Sequence, residues 1–273
     1  MTFEDFTTRT AGWLDGSGHR ASLVISSRVR LARNLSQKPF TNRASDDDKA
    51  DIVRRVVDAA SSLTFGDLVY FDTSALSELQ RQMLVERHLI SPALAKEAGP
   101  RGVLVDETEV ASVMVNEEDH LRIQVMASGL QPSETFAIAS TLERDLAGAL
   151  DFAASPQWGY LTACATNTGT GLRASTLIHL PGLALTKEMD GVVRGVAQLG
   201  FAVRGIYGEG TDSAGNLYQI SNQLTLGRSE QTLLEGLNRV VGQVVECEMN
   251  ARETLMREAR GQIEDKVWRA YGI

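Results

Sequence analysis

Residues 110–126 read VASVMVNEEDHLRIQVM, two apolar, β-rich runs on either side of the polar pentapeptide Asn116–His120. Val110–Val115 and Leu121–Met126 have strand length and composition, and alternation places Arg122 and Gln124 on one face of the second. Only five residues join them, so the two strands are neighbours around an acidic turn. Strands that follow one another directly, and not only across helices, favour an α+β fold over a doubly wound parallel sheet.

The same alternation runs outward from this pair. Leu23–Leu35, LVISSRVRLARNL, reads as a strand with Arg28 and Arg30 on one face. Ser45, followed by Asp46, Asp47 and Asp48, has the form of a helix start, and Ile52, Val53, Val56 and Val57 continue it at helical spacing. Ser133 is expected to cap a helix carrying Phe136, Ile138, Leu142, Leu146 and Leu150. Residues 160–171, YLTACATNTGTG, form a hydroxyl-rich loop of small side chains that lets a ligand approach the backbone. A helix is expected over Thr186–Gln198, and strands over Phe201–Tyr207 and Leu217–Leu226, joined by Gly208–Asp212. A long helix follows from Ser229, past Met249, on the repeat of Leu233, Leu234, Leu237, Val240, Val241, Val244 and Val245.

Composition narrows the function classes. The 273 residues carry 27 basic and 35 acidic side chains, a net charge of −8, which argues against nucleic-acid binding. With 43% hydrophobic and 23% charged residues the chain can build a sizeable core. No apolar run approaches the length of a membrane span. Two cysteines, Cys164 and Cys247, make no disulfide framework, and the first residues lack a secretion-signal layout, so a cytoplasmic setting is expected. Of the basic residues 22 are Arg and 5 are Lys. A GC-rich coding bias accounts for much of this; some of these guanidiniums could also grip phosphate, which Lys does less well.

Taken singly, each polar element has an ordinary explanation. Arg28 and Arg30 could be solvated strand residues, Glu117 to Asp119 a solvated hairpin tip, His120 a hydrogen-bonded structural histidine and Cys164 a buried inert thiol. The Gly-rich segment is neither a dinucleotide fingerprint nor a P-loop. Their combination is more specific. The segments Ser26-Ser27-Arg28-Val29-Arg30-Leu31-Ala32-Arg33-Asn34 and Asn116-Glu117-Glu118-Asp119-His120-Leu121-Arg122-Ile123, with the loop from Cys164 to Thr170 and Arg173, resemble the catalytic domain of the phosphagen kinases, or ATP:guanido phosphotransferases. Val203-Arg204-Gly205-Ile206-Tyr207-Gly208-Glu209-Gly210 and Tyr218 to Gln223 look most like the bacterial protein-arginine kinases of that family.

The resemblance implies a mainly antiparallel sheet flanked by helices, of the glutamine-synthetase/guanido-kinase-like kind, over 1–240, with 241–273 a C-terminal helical segment of the sort that opens an accessory domain. It implies ATP and Mg²⁺ as cofactors. Arg28, Arg30, Arg122, Arg173 and Arg204, with His120, are then the nucleotide-binding residues, and Glu117 reaches the metal through a bound water. Glu118 and Glu209 between them supply the general base and its orienting partner, in either order, and Cys164, beside the Thr166 hydroxyl, is a further contact to the acceptor. Ala165 stands where the family commonly has proline, which leaves the loop less rigid.

The chemistry of these residue types agrees. Phosphoryl transfer needs positioning and charge neutralisation more than covalent work by the protein. A guanidinium has a pKa above about 12 and no free lone pair, so a carboxylate must take or polarise its proton as the phosphoryl group arrives. Only 25 residues precede Ser26, too few for the helical domain that encloses small substrates in the family, which points to protein substrates bearing exposed arginines; a homodimer is also possible within this family. A kinase for a free guanidino compound and a weakly catalytic nucleotide- or phosphoarginine-binding regulator remain as alternatives. A metal hydrolase built on Glu117, Glu118 and His120 lacks a spaced ligand set.

Overall fold

The computed structural model describes residues 5–205 and 214–273. Its helices are α1 (Asp5–Thr8), α2 (Asp46–Ala60), α3 (Glu78–Glu86), α4 (Pro92–Lys96), α5 (Pro132–Ala147), α6 (Pro181–Leu185), α7 (Met189–Gln198), α8 (Glu230–Glu258) and α9 (Arg260–Tyr271). Its strands are β1 (Val24–Arg33), β2 (Leu68–Asp72), β3 (Gly102–Asp106), β4 (Ala111–Val115), β5 (Leu121–Ser128), β6 (Ala154–Ser155), β7 (Gly159–Tyr160), β8 (Leu172–His179), β9 (Phe201–Gly205) and β10 (Leu217–Asn222). Eight strands form one sheet in the order β2-β3-β4-β5-β1-β8-β10-β9, with every neighbouring pair antiparallel. The expected α+β fold with an antiparallel sheet and flanking helices is what forms. Among the described residues no helix is long and apolar enough to cross a membrane.

The pleat sorts this sheet into two faces. Along β1, Val29 and Leu31 point to one side and Arg28 and Arg30 to the other, because successive side chains alternate. Antiparallel register carries the division across the sheet. Arg30 stands opposite Gln124 on β5 and Arg173 on β8, Ser175 lies opposite Ser221 on β10, and Gln219 lies opposite Arg204 on β9. The apolar face is covered by α2, α5 and α8, which bury Ile52 and Val56, Leu142 and Leu146, and Leu234, Leu237 and Val241 against it. Each such side chain contributes about 1.5–3 kcal/mol by leaving water. On the other face, Leu84, Leu89 and Leu94 pack with Val103, Val105 and Met114, so the α3–α4 segment walls one end of the arginine-bearing surface.

Local signals behave largely as expected. Ser45 and Asp48 form a reciprocal capping box, with Asp46 and Asp47 set against the positive end of α2. Ser133 does not cap α5: Gln131 holds that position and Pro132 follows it, because proline's fixed φ and missing N–H suit the first turn. The strand expected to reach Leu226 stops at Asn222. Its side chain donates to Leu172 O and Leu224 O and accepts from Ala174 N–H, which replaces ladder bonds and turns the chain away. The division expected at residue 240 falls inside α8, where Val240, Val241, Val244, Val245 and Ala251 all join the main core.

Candidate active site

Pleat and register together bring Arg28, Arg30, Arg122, Arg173 and Arg204 onto one face of four strands. Among the described residues, Arg28, Arg30 and Arg173 have few hydrogen-bond partners. Arg28 Nη2 donates to Gln219 Oε1 at 2.8 Å and Arg173 Nη2 to Ser221 Oγ at 3.2 Å, while the Nε atoms of Arg30 and Arg173 are buried without a partner. Burial, then the charges of Arg173 and Arg122, push Arg28 down to about 10. Burial, then Arg28, Arg122 and Arg173, holds Arg30 well below the usual guanidinium range, against the pull of Glu117. Arg173 is lowered by burial and by Arg204 and Arg122. Arg28, Arg30 and Arg173 are half-buried and lower one another's pKa or are lowered by neighbouring arginines, and Arg30 and Arg173 each keep an orphaned donor, so the site they form requires an anion. Arg28, Arg30 and Arg122 line a cavity of about 640 Å³ with His88, Gln124 and Gln219 on its walls, and Arg173 stands opposite Arg30 on the neighbouring strand.

The acidic turn stands at the rim of this cavity. Asn116 opens it in a left-handed conformation (φ 57°), which asparagine tolerates, and its N–H donates to His120 O at 2.9 Å. Glu117 Oε1 accepts from Ser91 Oγ at 2.7 Å and Arg122 Nη1 at 2.8 Å, and Oε2 accepts from the Glu118 N–H at 2.9 Å. Glu118 is 43% exposed; its Oε2 accepts from Arg122 Nη2 and from Asn167 Nδ2, both at 3.2 Å. Oε1 of Glu118 therefore has no protein partner among the described residues. Glu118 and Arg122 also line a second pocket of about 590 Å³, so Arg122 separates two compartments and lines both.

The cysteine loop meets the turn from the other side. Cys164 Sγ lies 3.0 Å from Thr166 Oγ1, and Asn167 of the same loop reaches Glu118. Buried Asp119 holds the loop in place, since its Oδ1 accepts from Asn34 Nδ2 and from Ala163 N–H, both at 2.6 Å. The base of the loop is closed by paired backbone bonds between Tyr160 and Gly169. Arg33 stacks on Tyr160 at 3.4 Å and pairs with Glu143, so this arginine braces the loop and takes no part in the cage.

His120 does not hold a nucleotide, contrary to the expectation from sequence. Its ring is fully buried, Nδ1 accepts from Leu35 N–H at 3.0 Å, and Nε2–H therefore donates to Pro39 O at 2.8 Å. Neither nitrogen is left to hold a nucleotide. Burial lowers its pKa, with the Pro39 contact opposing, so the unfolded chain takes up a proton that the folded ring resists. Stability from this group is thus full above the usual 6.5 and declines as pH falls below it. His120→Ala, which strands the buried Leu35 N–H, removes the bond to Pro39 O and empties a buried ring site, is expected to lower Tm by on the order of 10 °C with little change in KM for ATP, as thermal melts and kinetics on the surviving fold will show.

Glu209 lies outside the described residues. Sequence reasoning missed His88, Asn167 and Gln219, which reach the site, and Asp119, which positions it. A lone His88 or Asn167 carries no local pattern; Gln219 could have been found from its place on the alternating face of β10.

The donor set suits a triphosphate, whose oxygens match the orphaned guanidinium nitrogens. No three His, Cys, Asp or Glu side chains converge as a metal cage among the described residues. Against known proteins, the family model "ATP:guanido phosphotransferase, C-terminal catalytic domain" matches residues 51–251. A protein-arginine kinase of Halothermothrix orenii is 46% identical over 274 residues, covering 100% of this chain and 78% of that protein. One from Symbiobacterium thermophilum is 47% identical, covering 96% and 75%. Among solved structures, the duplicated taurocyamine kinase of Schistosoma mansoni with bound transition-state-analogue components is similar at a TM-score of 0.74 and 28% identity, over 91% of this chain and 36% of that one. A lombricine kinase shares the fold at a TM-score of 0.74 and 22% identity, over 90% and 73%.

Proposed function

The chain belongs to the ATP:guanido phosphotransferase family, and on that premise we propose that it transfers the γ-phosphoryl group of ATP to arginine side chains of proteins. One observation carries the reading: an anion-demanding arginine cage and an open pocket that carries Glu117 and Glu118 share a wall at Arg122. The cage binds the triphosphate in line with the second pocket, where Glu118 accepts the acceptor's N–H bonds through its unpartnered Oε1. A carboxylate of this kind holds the guanidine fork and draws off its proton as the new bond forms. We assign Glu209 as the second carboxylate, by resemblance, and Cys164 with Thr166 as polar contacts on the remaining side of the acceptor. Magnesium supplies charge neutralisation on the phosphates when bound, and Glu117 is the residue we assign to it, through water, in keeping with the ion's reluctance to shed its hydration shell. The two unpaired thiols, Cys164 and Cys247, fit a reducing, cytoplasmic setting.

Incubation with Mg·ATP and an arginine-rich protein is expected to give acid-labile phosphoarginine, found by mass spectrometry under neutral handling, with matching release of ADP. Acid-stable phosphoserine or phosphothreonine, or faster turnover of free arginine than of protein, would overturn the proposal.

A further inference from the structure

We propose that the pocket beside Glu118 contains a carboxylate-binding subsite, built from Lys49, Thr41 and Arg101, that reads an acidic residue flanking the target arginine; this rests on the protein-arginine reading above. A side chain gripped by Glu118 lies in this pocket of about 590 Å³, so whatever follows or precedes it in the substrate passes along the same walls. The charges on those walls are unevenly matched. Glu117 and Glu118 are engaged by Arg122, and Glu97 pairs with Arg101, whereas the Lys49 side chain has no ion pair or hydrogen bond among the described residues.

Two donors next to it are unsatisfied. Thr41 is 6% exposed and its hydroxyl has no partner; Arg101 is 4% exposed and its Nε has none. Buried donors without partners are costly, and a native site retains them where a ligand completes them. One unpaired cation and two open donors on this wall match a carboxylate, while the unpartnered Glu118 Oε1 in the same pocket is left for the guanidinium.

The subsite is also held at a fixed position relative to Glu118. Fully buried Asn116, the residue that opens the acidic turn, donates through Nδ2 to Lys49 O and to Pro100 O, each at 2.9 Å. A single amide therefore joins the turn carrying Glu118, the helix carrying Lys49 and the segment entering Arg101. Lys49 contributes only its backbone to this arrangement, which leaves its ammonium for the substrate.

The test uses peptides with one arginine, differing only by Glu or Gln at each flanking position, assayed with the protein as it stands and with Lys49→Ala and Lys49→Arg. The expected result is an approximately tenfold higher kcat/KM for Glu at one flanking position, expressed mainly in KM, as a charged hydrogen bond in a half-buried pocket supplies. Lys49→Ala should bring that ratio near one, and Lys49→Arg should keep most of it. The subsite alone fails if peptides are phosphorylated without an acidic preference, or if the preference survives Lys49→Ala. Should peptides stay unmodified while free arginine is turned over, with Lys49→Ala raising its KM, the anion is the amino acid's own carboxylate, and the proposal falls together with the protein-arginine reading.

Discussion

Glu118→Gln is expected to reduce kcat for arginine phosphorylation by about 10²–10⁴-fold, the span that a positioned general base contributes. The substitution keeps the size of the side chain and its two weak contacts to Arg122 and Asn167, at 3.2 Å, can be kept by an amide oxygen. What it removes is the negative charge and the proton acceptor at Oε1. Because Glu118 is 43% exposed, its replacement should shift Tm by no more than about 2 °C. KM for ATP should change little, since the cavity proposed for the nucleotide is lined by Arg122 and not by Glu118. Steady-state kinetics beside a thermal melt tests this: a large fall in Tm, or a rise in KM for ATP with kcat preserved, would place Glu118 in structure or nucleotide binding.

The second large effect concerns Arg30, whose removal should act in opposite directions on stability and catalysis. Arg30 is surrounded by Arg28, Arg122 and Arg173, and its Nε has no partner. Arg30→Met retains most of the volume and removes a desolvated, self-repelling charge. The ligand-free protein is therefore expected to melt at a higher temperature. Catalysis should fall by about 10²–10³-fold in kcat/KM, because one preorganised donor to the transferring phosphoryl group is gone. The rise in Tm that ATP produces should shrink too, since that rise reports affinity for the folded state. An unchanged ATP-induced shift, with a lower Tm before ATP is added, would show Arg30 to be a structural residue.

Function explains why such a cluster is kept. Like charges on one sheet face weaken the empty protein, and in the proposed function a bound triphosphate relieves them. The capping box of Ser45 and Asp48 illustrates the opposite case, where sequence, local structure and stability agree because the interaction spans only three residues.

Legibility followed the range of the interactions. Arg28 and Arg30 share a face through the pleat alone, and the acidic turn was readable because two β-rich runs bound it. Nothing comparable marks β2 and β3: Gly102–Asp106 is buried almost throughout, without alternation, and Leu68–Asp72 is half-buried at the sheet edge. Helix α3 buries only Leu84, so its apolar period is faint. Ser133 misled because a good capping residue next to Pro132 lost to the proline. His120 misled because its neighbours in sequence are catalytic candidates, whereas its ring bonds with Leu35 and Pro39, about eighty residues away.

By itself the sequence determined the α+β class, the family and the residues that carry charge, because these depend on side-chain identity and on the two-residue period of a strand. Only the tertiary structure decided that Arg30 meets Arg173, that Arg122 divides two compartments, and that Asn116 ties Lys49 to Glu118. Those meetings are set by strand register and long-range packing between segments tens of residues apart, whose energies no local window of the chain contains.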